Sequence, residues 1–285
     1  MDAIKISHYK NEFLTFYEHA SNLNADLEER FYIWKKHYGF NPFRREEQRE
    51  QLAKEMLTQA FPKYEEALCH ISGFELEEES IYRYVSCIRE QLRAFEPMHL
   101  NVVFFVGDFE TDPFIEIEDN EAYTLYYPIE KEWKPIYFVN ELVKAVYLNQ
   151  SKINPSHLIN IAFVIFLEGL ALHTANLVAA SDTSRTSLYP WMSKCQLEPT
   201  RIMMNIFPHL RRSDYKAIYS FTKGTGASGY QNEAGFVGWC VVEHMLKRGY
   251  TLPELLLIPE DRVITLIEKS LYQVMEESKY IQSQE

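Results

Sequence analysis

Apolar positions in the first third of the chain recur with a helical period. Leu52, Met56, Ala60, Tyr64, Ala67 and Ile71 fall three or four residues apart within Arg45 to about His70, and Asp26 to His37 repeats the pattern. Such spacing lines one face of a helix. Another helix is expected from about Glu77 to Phe95, stopping before Pro97, whose ring disfavours helical backbone in the residue ahead of it. The N-terminal third therefore reads as helical. The pattern then changes. His99 to Gly107 (HLNVVFFVG) is a β-branched and aromatic run and the strongest strand signal; Glu121 to Pro128 reads as a second strand, and Phe114 to Glu118 alternates as a third. Helical spacing returns after Pro135, at residues 138, 139, 142, 145 and 146, and further helices are expected near 199–207, 213–221, 233–247 and 259–276.

One stretch is apolar all round. Leu158 to Ala180 is long enough to span a bilayer, yet it carries Glu168 near its centre and no close Lys/Arg cluster. A central carboxylate costs roughly 2.5–3.5 kcal/mol on insertion, so a helix buried in a core is expected, with Glu168 in need of a partner. Composition agrees with a core: 46% of the 285 residues are hydrophobic and 14% aromatic. The formal charge of −12 gives a negative surface field, which disfavours nucleic acid and anionic membranes as partners. Four scattered cysteines without a CxxC pair form neither a disulfide framework nor a cysteine zinc cluster. The N-terminus shows no apolar signal segment, and a cytoplasmic protein is expected.

Five of the ten glycines fall between Gly224 and Gly238, and Gly224 to Gly229 fits GxGxxG literally. A dinucleotide site needs that pattern between a strand and the helix it opens. Here a helical stretch precedes it, so a connecting loop is expected. Neither GxSxG nor a cysteine in a recognisable catalytic setting is present. A different arrangement stands out on the two helices after the strands. Asn140 and Lys144 are one helical turn apart, Glu141 lies beside them, and Glu168 opens a second acidic position on the following helix. In a zinc peptidase this frame holds two histidines at i and i+4, a general-base Glu at i+1 and a third ligand from the next helix, with one metal position left open for water.

The chain resembles a family of bacterial zinc-dependent proteases with a gluzincin-like, HExxH layout, over most of its length from about Glu28. The resemblance is carried by WKKHYGF (34–40), QAFPKYEEAL (59–68), NVVFFVGDFETDPF (101–114), YYPIE (126–130), FVNELVKAVY (138–147), EGLALHTANL (168–177), AGFVGW (234–239) and Leu-Pro-Glu-Leu (252–255). It implies a zincin-like α+β fold, predominantly helical: a small mixed sheet packed on two active-site helices, with a helical region at 1–97 and the zincin-like part at 98–285. It also implies that 140 and 144 are metal-ligand positions, that Glu141 stands at the general-base position, and that Glu168 is the third ligand.

This chain departs from that pattern where the chemistry lies. Asn140 is a feeble neutral ligand and the Lys144 ammonium repels a dication. Phe236 stands where the family tends to carry a phenol able to stabilise an oxyanion. The expected protein is thus a pseudo-peptidase with no metal or other cofactor, Lys144 serving as counter-charge to Glu141 and Glu168. A peptide or protein partner is expected in the residual cleft, which Tyr123, Tyr126, Tyr127 and Phe236 would line. The alternative is an active metal-dependent hydrolase, with zinc held by Glu141, Glu168 and a histidine from elsewhere. His157, His173 and His244 are each expected as ordinary core or surface histidines, and Arg44-Arg45, Arg211-Arg212 and the helix at 44–55 as solvated surface.

Overall fold

A computed structural model describes residues 2–22, 25–39, 46–117, 122–152, 159–179 and 189–282. The fold is α+β and mostly helical, with one small mixed sheet. The chain divides into two compact units, each drawn from two stretches: Met1–Tyr82 with Pro97–Phe138, and Arg83–Glu96 with Val139–Glu285.

The first unit holds the sheet. Its strands are β1 (Ala3–His8), β2 (His99–Phe105), β3 (Phe114–Ile117) and β4 (Tyr123–Pro128), in the order β1-β2-β4-β3. β1 and β4 run parallel to β2, with Ile6 opposite Val102 and Val102 opposite Leu125, while β3 lies antiparallel on the far edge. Strand β1 corrects the helical reading of the N-terminal third. Only Ile4 and Ile6 mark its inward face, and its partner lies more than ninety residues away, so local periodicity carries little of the signal.

Three helices complete the first unit before the chain reaches α4 (Glu78–Leu92): α1 (Lys10–Asn22), α2 (Leu27–His37) and α3 (Glu46–Gly73). Asp26 starts α2 through a capping box, its carboxylate accepting the Glu29 N–H at 3.0 Å. Phe13, Phe16, Phe61 and Tyr64 form a buried edge-to-face ring cluster between α1 and α3. Two tyrosines then tie these helices to the end of β2. The Tyr38 hydroxyl donates to the Val106 carbonyl and accepts from its N–H, both at 2.9 Å, and Tyr64 donates to the Gly107 carbonyl at 2.7 Å.

The second unit is helical. Its elements are the body of α5 (Pro135–Ser151, entering the unit at Val139), α6 (Ile161–Ala179), α7 (Pro190–Cys195), α8 (Pro199–Ile206), α9 (Tyr215–Thr222), α10 (Glu233–Lys247), α11 (Leu252–Leu256) and α12 (Glu260–Gln282). Helix α6 is the one element among the described residues long and apolar enough to cross a membrane, and most of its 19 residues are buried in this unit beside α10 and α12. The closest approach is at two glycines. A Cβ on Gly169 would collide with the Gly238 carbonyl, and one on Gly238 with the Ile165 carbonyl, so α6 and α10 touch backbone to backbone. That contact fixes the neighbour of Gly169, Glu168.

Candidate functional site

Helix α5 begins at Pro135, which fills a first-turn position where no N–H partner is needed. Its apolar residues Leu142, Val143, Val146 and Tyr147 are buried, and so is Asn140 at 6% exposure. Asn140, Glu141 and Lys144 therefore ride on a helix held by packing around its circumference, and Glu168 comes from α6, held by the glycine contact. The Lys144 Nζ donates to Glu141 Oε1 at 2.8 Å and to Glu168 Oε1 at 2.7 Å. The three side chains are 14%, 12% and 16% exposed, so the cluster is largely removed from water.

Burial works against the charged ammonium, but the two carboxylates and their hydrogen bonds outweigh it and hold Lys144 above its ordinary range. The ammonium is thus kept charged between its two carboxylate partners. Asn140 contributes differently. Its Nδ2 finds no hydrogen-bond partner although the residue is buried.

The zinc implied by the family resemblance can be tested against this donor set. A divalent cation bridging Glu141 and Glu168 would need the point that Nζ holds, within 2.8 Å of both carboxylates. An ammonium there has no lone pair to offer and repels the ion. Among the described residues no group of three or more His, Cys, Asp or Glu side chains is placed to hold a metal. With the Lys144 ammonium between them, Glu141 and Glu168 hold a protein cation and do not fit zinc.

The histidines lie elsewhere. His173 stacks on Trp239 with ring centroids 3.9 Å apart and its Nε2 meets the Trp239 carbonyl at 2.9 Å, an environment whose burial lowers its pKa. His244 faces Glu277 and Gln273, each at 3.3 Å. His157 and the Arg44-Arg45 pair fall outside the described residues. Arg211 and Arg212 form exposed ion pairs with Glu268 and Asp214. Burial pushes the Cys195 thiol up to about 11 and the Cys240 thiol up to about 12, which disfavours the thiolate at these two positions.

Of the aromatic residues expected to line a cleft, Tyr123 and Tyr127 are buried in the sheet of the first unit, on its inner strand β4. Tyr127 packs against Trp133, with centroids 4.7 Å apart. Tyr126 is half-buried and stacks on Phe114 of the edge strand at 5.0 Å. Phe236 is buried on α10 in the second unit.

The glycine loop is a connection with a local purpose. It cradles the buried carboxylate of Glu233, whose Oε1 accepts the Ser228 N–H at 2.8 Å and the Tyr230 N–H at 3.2 Å. A Cβ on Gly226 would overlap that carboxylate. The loop's N–H groups are therefore turned to an internal anion, not to a phosphate. Spacing alone missed two groups. Glu233 Oε2 and the Tyr147 hydroxyl are both buried without a partner, and burial raises both pKa values. A Glu four residues after the last glycine of the GxGxxG run was the available signal for the first; Tyr147, one apolar-face position among several, gave none.

No family model matches the chain, and no curated protein matches its sequence.

Proposed function

We propose that this chain is a zincin-like protein whose metal position is held by Lys144, and that it binds an extended peptide or protein segment without cleaving it. The observation that carries the reading is the Lys144 Nζ between Glu141 and Glu168, at 2.8 and 2.7 Å. General-base catalysis on a metal-bound water needs both an open coordination site and a carboxylate free to accept a proton. Here the ammonium stands in for the metal and is hydrogen-bonded to the general-base position. Two further features support the reading: a small sheet with an antiparallel edge strand directly precedes the two helices of the frame, and Phe236 lacks a phenolic hydroxyl. An edge strand can receive an extended segment by strand addition. Four free thiols suit a reducing, cytoplasmic setting.

The test is zinc loading. The purified protein, incubated with excess zinc and desalted, retains substoichiometric metal and leaves unfolded casein intact. Stoichiometric zinc together with casein cleavage would overturn the proposal in favour of an active hydrolase with rearranged ligands.

A further inference from the structure

The first unit carries an open cavity of about 390 Å³ between α3 and the segments that follow β2 and β4. Lys63, Glu66 and His70 reach it from one face of α3, at i, i+3 and i+7; Phe109 lines it from the loop after β2, and Glu130 and Glu132 from the turn after β4. Glu130 is 4% exposed. Its Oε2 accepts the Gly107 N–H at 2.8 Å and its Oε1 the Phe109 N–H at 3.1 Å. These amides orient the carboxylate without neutralising it, and burial holds its pKa above the ordinary carboxylate range. Among the described residues no cation stands within ion-pair distance of Glu130 or Glu66. The Lys131 ammonium goes to the Thr111 carbonyl and to Asp112, and Lys63 goes to Glu110. A buried carboxylate at a cavity wall, with no counter-charge of its own, is a group that an arriving cation relieves.

We propose that this cavity binds a small aliphatic diamine, its ammonium groups on Glu130 and Glu66 and its methylenes against the Phe109 ring. Three carboxylates against one lysine repel an anion, and a neutral ligand leaves Glu130 uncompensated. The volume is many times the roughly 30 Å³ share of one water and falls within the range of small-molecule sites. A bare metal ion does not fill it, and among the described residues no group of three or more His, Cys, Asp or Glu side chains is placed to hold one. An aromatic ring beside carboxylates suits a cationic head on an apolar stem. Phe109 is held there at a φ of +68°, in the left-handed region that a bulky residue rarely adopts, with its N–H on Glu130. The His70 Nε2 meets the Lys131 carbonyl at 2.7 Å, so that nitrogen carries the proton and Nδ1 of the neutral ring is left as a further acceptor. The site lies wholly in the first unit, and its occupancy does not depend on the Lys144 cluster or on peptide binding.

The test is calorimetric titration of the full chain with putrescine. The expected result is saturable, stoichiometric binding that weakens about tenfold or more in Glu66→Gln and in Glu130→Gln, the loss of a hydrogen bond to a charged group. Butylamine, with one ammonium, should bind weaker by a similar factor. Glu268→Gln makes the same charge change on an exposed pair of the second unit and should leave the affinity unaltered. No saturation by about 10 mM putrescine overturns the proposal. So does a Glu268→Gln loss equal to that of Glu66→Gln, which reduces the binding to general charge attraction. Displacement of putrescine by an equal concentration of magnesium overturns the diamine assignment in favour of an inorganic cation. Glu130→Gln still accepts the two N–H bonds through its amide oxygen; should it nevertheless fail to fold, the exposed Glu66→Gln decides alone.

Discussion

Replacing Lys144 by methionine removes the ammonium while keeping an unbranched side chain of similar reach. Taking away one partner of a fully buried ion pair costs about 3–5 kcal/mol, because the remaining charge is left in a poorly solvating site. Here two carboxylates lose their counter-charge at once, which raises the cost. Their residual exposures of 12% and 16% admit some water, which lowers it. About 3 kcal/mol is the expected loss, equivalent to a fall of about 6–12 °C in Tm for a unit of this size. Lys247→Met is the control, since its pair with Glu243 is 72% and 44% exposed and should contribute less than about 1 kcal/mol.

The pH dependence gives the same argument a second readout. Lys144 is held above its ordinary range in the folded protein, so its stabilising contribution is fully present below the unfolded lysine value of about 10.4 and declines as pH rises beyond it. The stability gap between wild type and Lys144→Met, measured by urea denaturation, should be level from about pH 7 to 9 and narrow above about pH 10.5. Replacing the whole cluster in K144M/E141L/E168L should recover stability relative to K144M alone, because no buried charge is then stranded. A single variant within about 0.5 kcal/mol of wild type at pH 7 would refute the ion-pair reading.

Gly169→Ala should destabilise the second unit by about 1–3 kcal/mol or more, since the added methyl meets the Gly238 carbonyl and not a side chain that can turn away; a thermal melt indistinguishable from wild type would contradict the backbone contact of α6 and α10. Glu233 is held above its ordinary carboxylate range, chiefly by burial, against the opposing pull of the Tyr230, Ser228 and Ala227 N–H groups. A raised acid stabilises the fold below its unfolded pKa, and that contribution is lost as pH rises through the folded one. Glu233→Gln, which still accepts the loop N–H bonds, should therefore flatten stability against pH above about 4.5; an unchanged slope in urea denaturation series at several pH values would count against it.

What could be read from the residue order depended on how local the cause is. The turn that places Asn140, Glu141 and Lys144 side by side is a property of any helix, and a carboxylate inside an apolar run such as 161–179 demands a counter-charge wherever it packs. Both facts are local, so the triad could be anticipated with its partners. Helices α2 to α6, α8 to α10 and α12, with β2 to β4, followed in the same way from period and propensity, whereas α1 and the short α7 and α11 did not. Strand β1 did not, because its reason for existing is the β2 edge it pairs with, from Ala3 opposite His99 to His8 opposite Phe104. Nor did the Glu233 cradle or the bare Nδ2 of Asn140, since whether a polar atom is satisfied depends on every element packed around it. The same dependence gives the site its chemical character. At positions 140 and 144 burial leaves the ammonium committed to two carboxylates and the amide nitrogen to no acceptor.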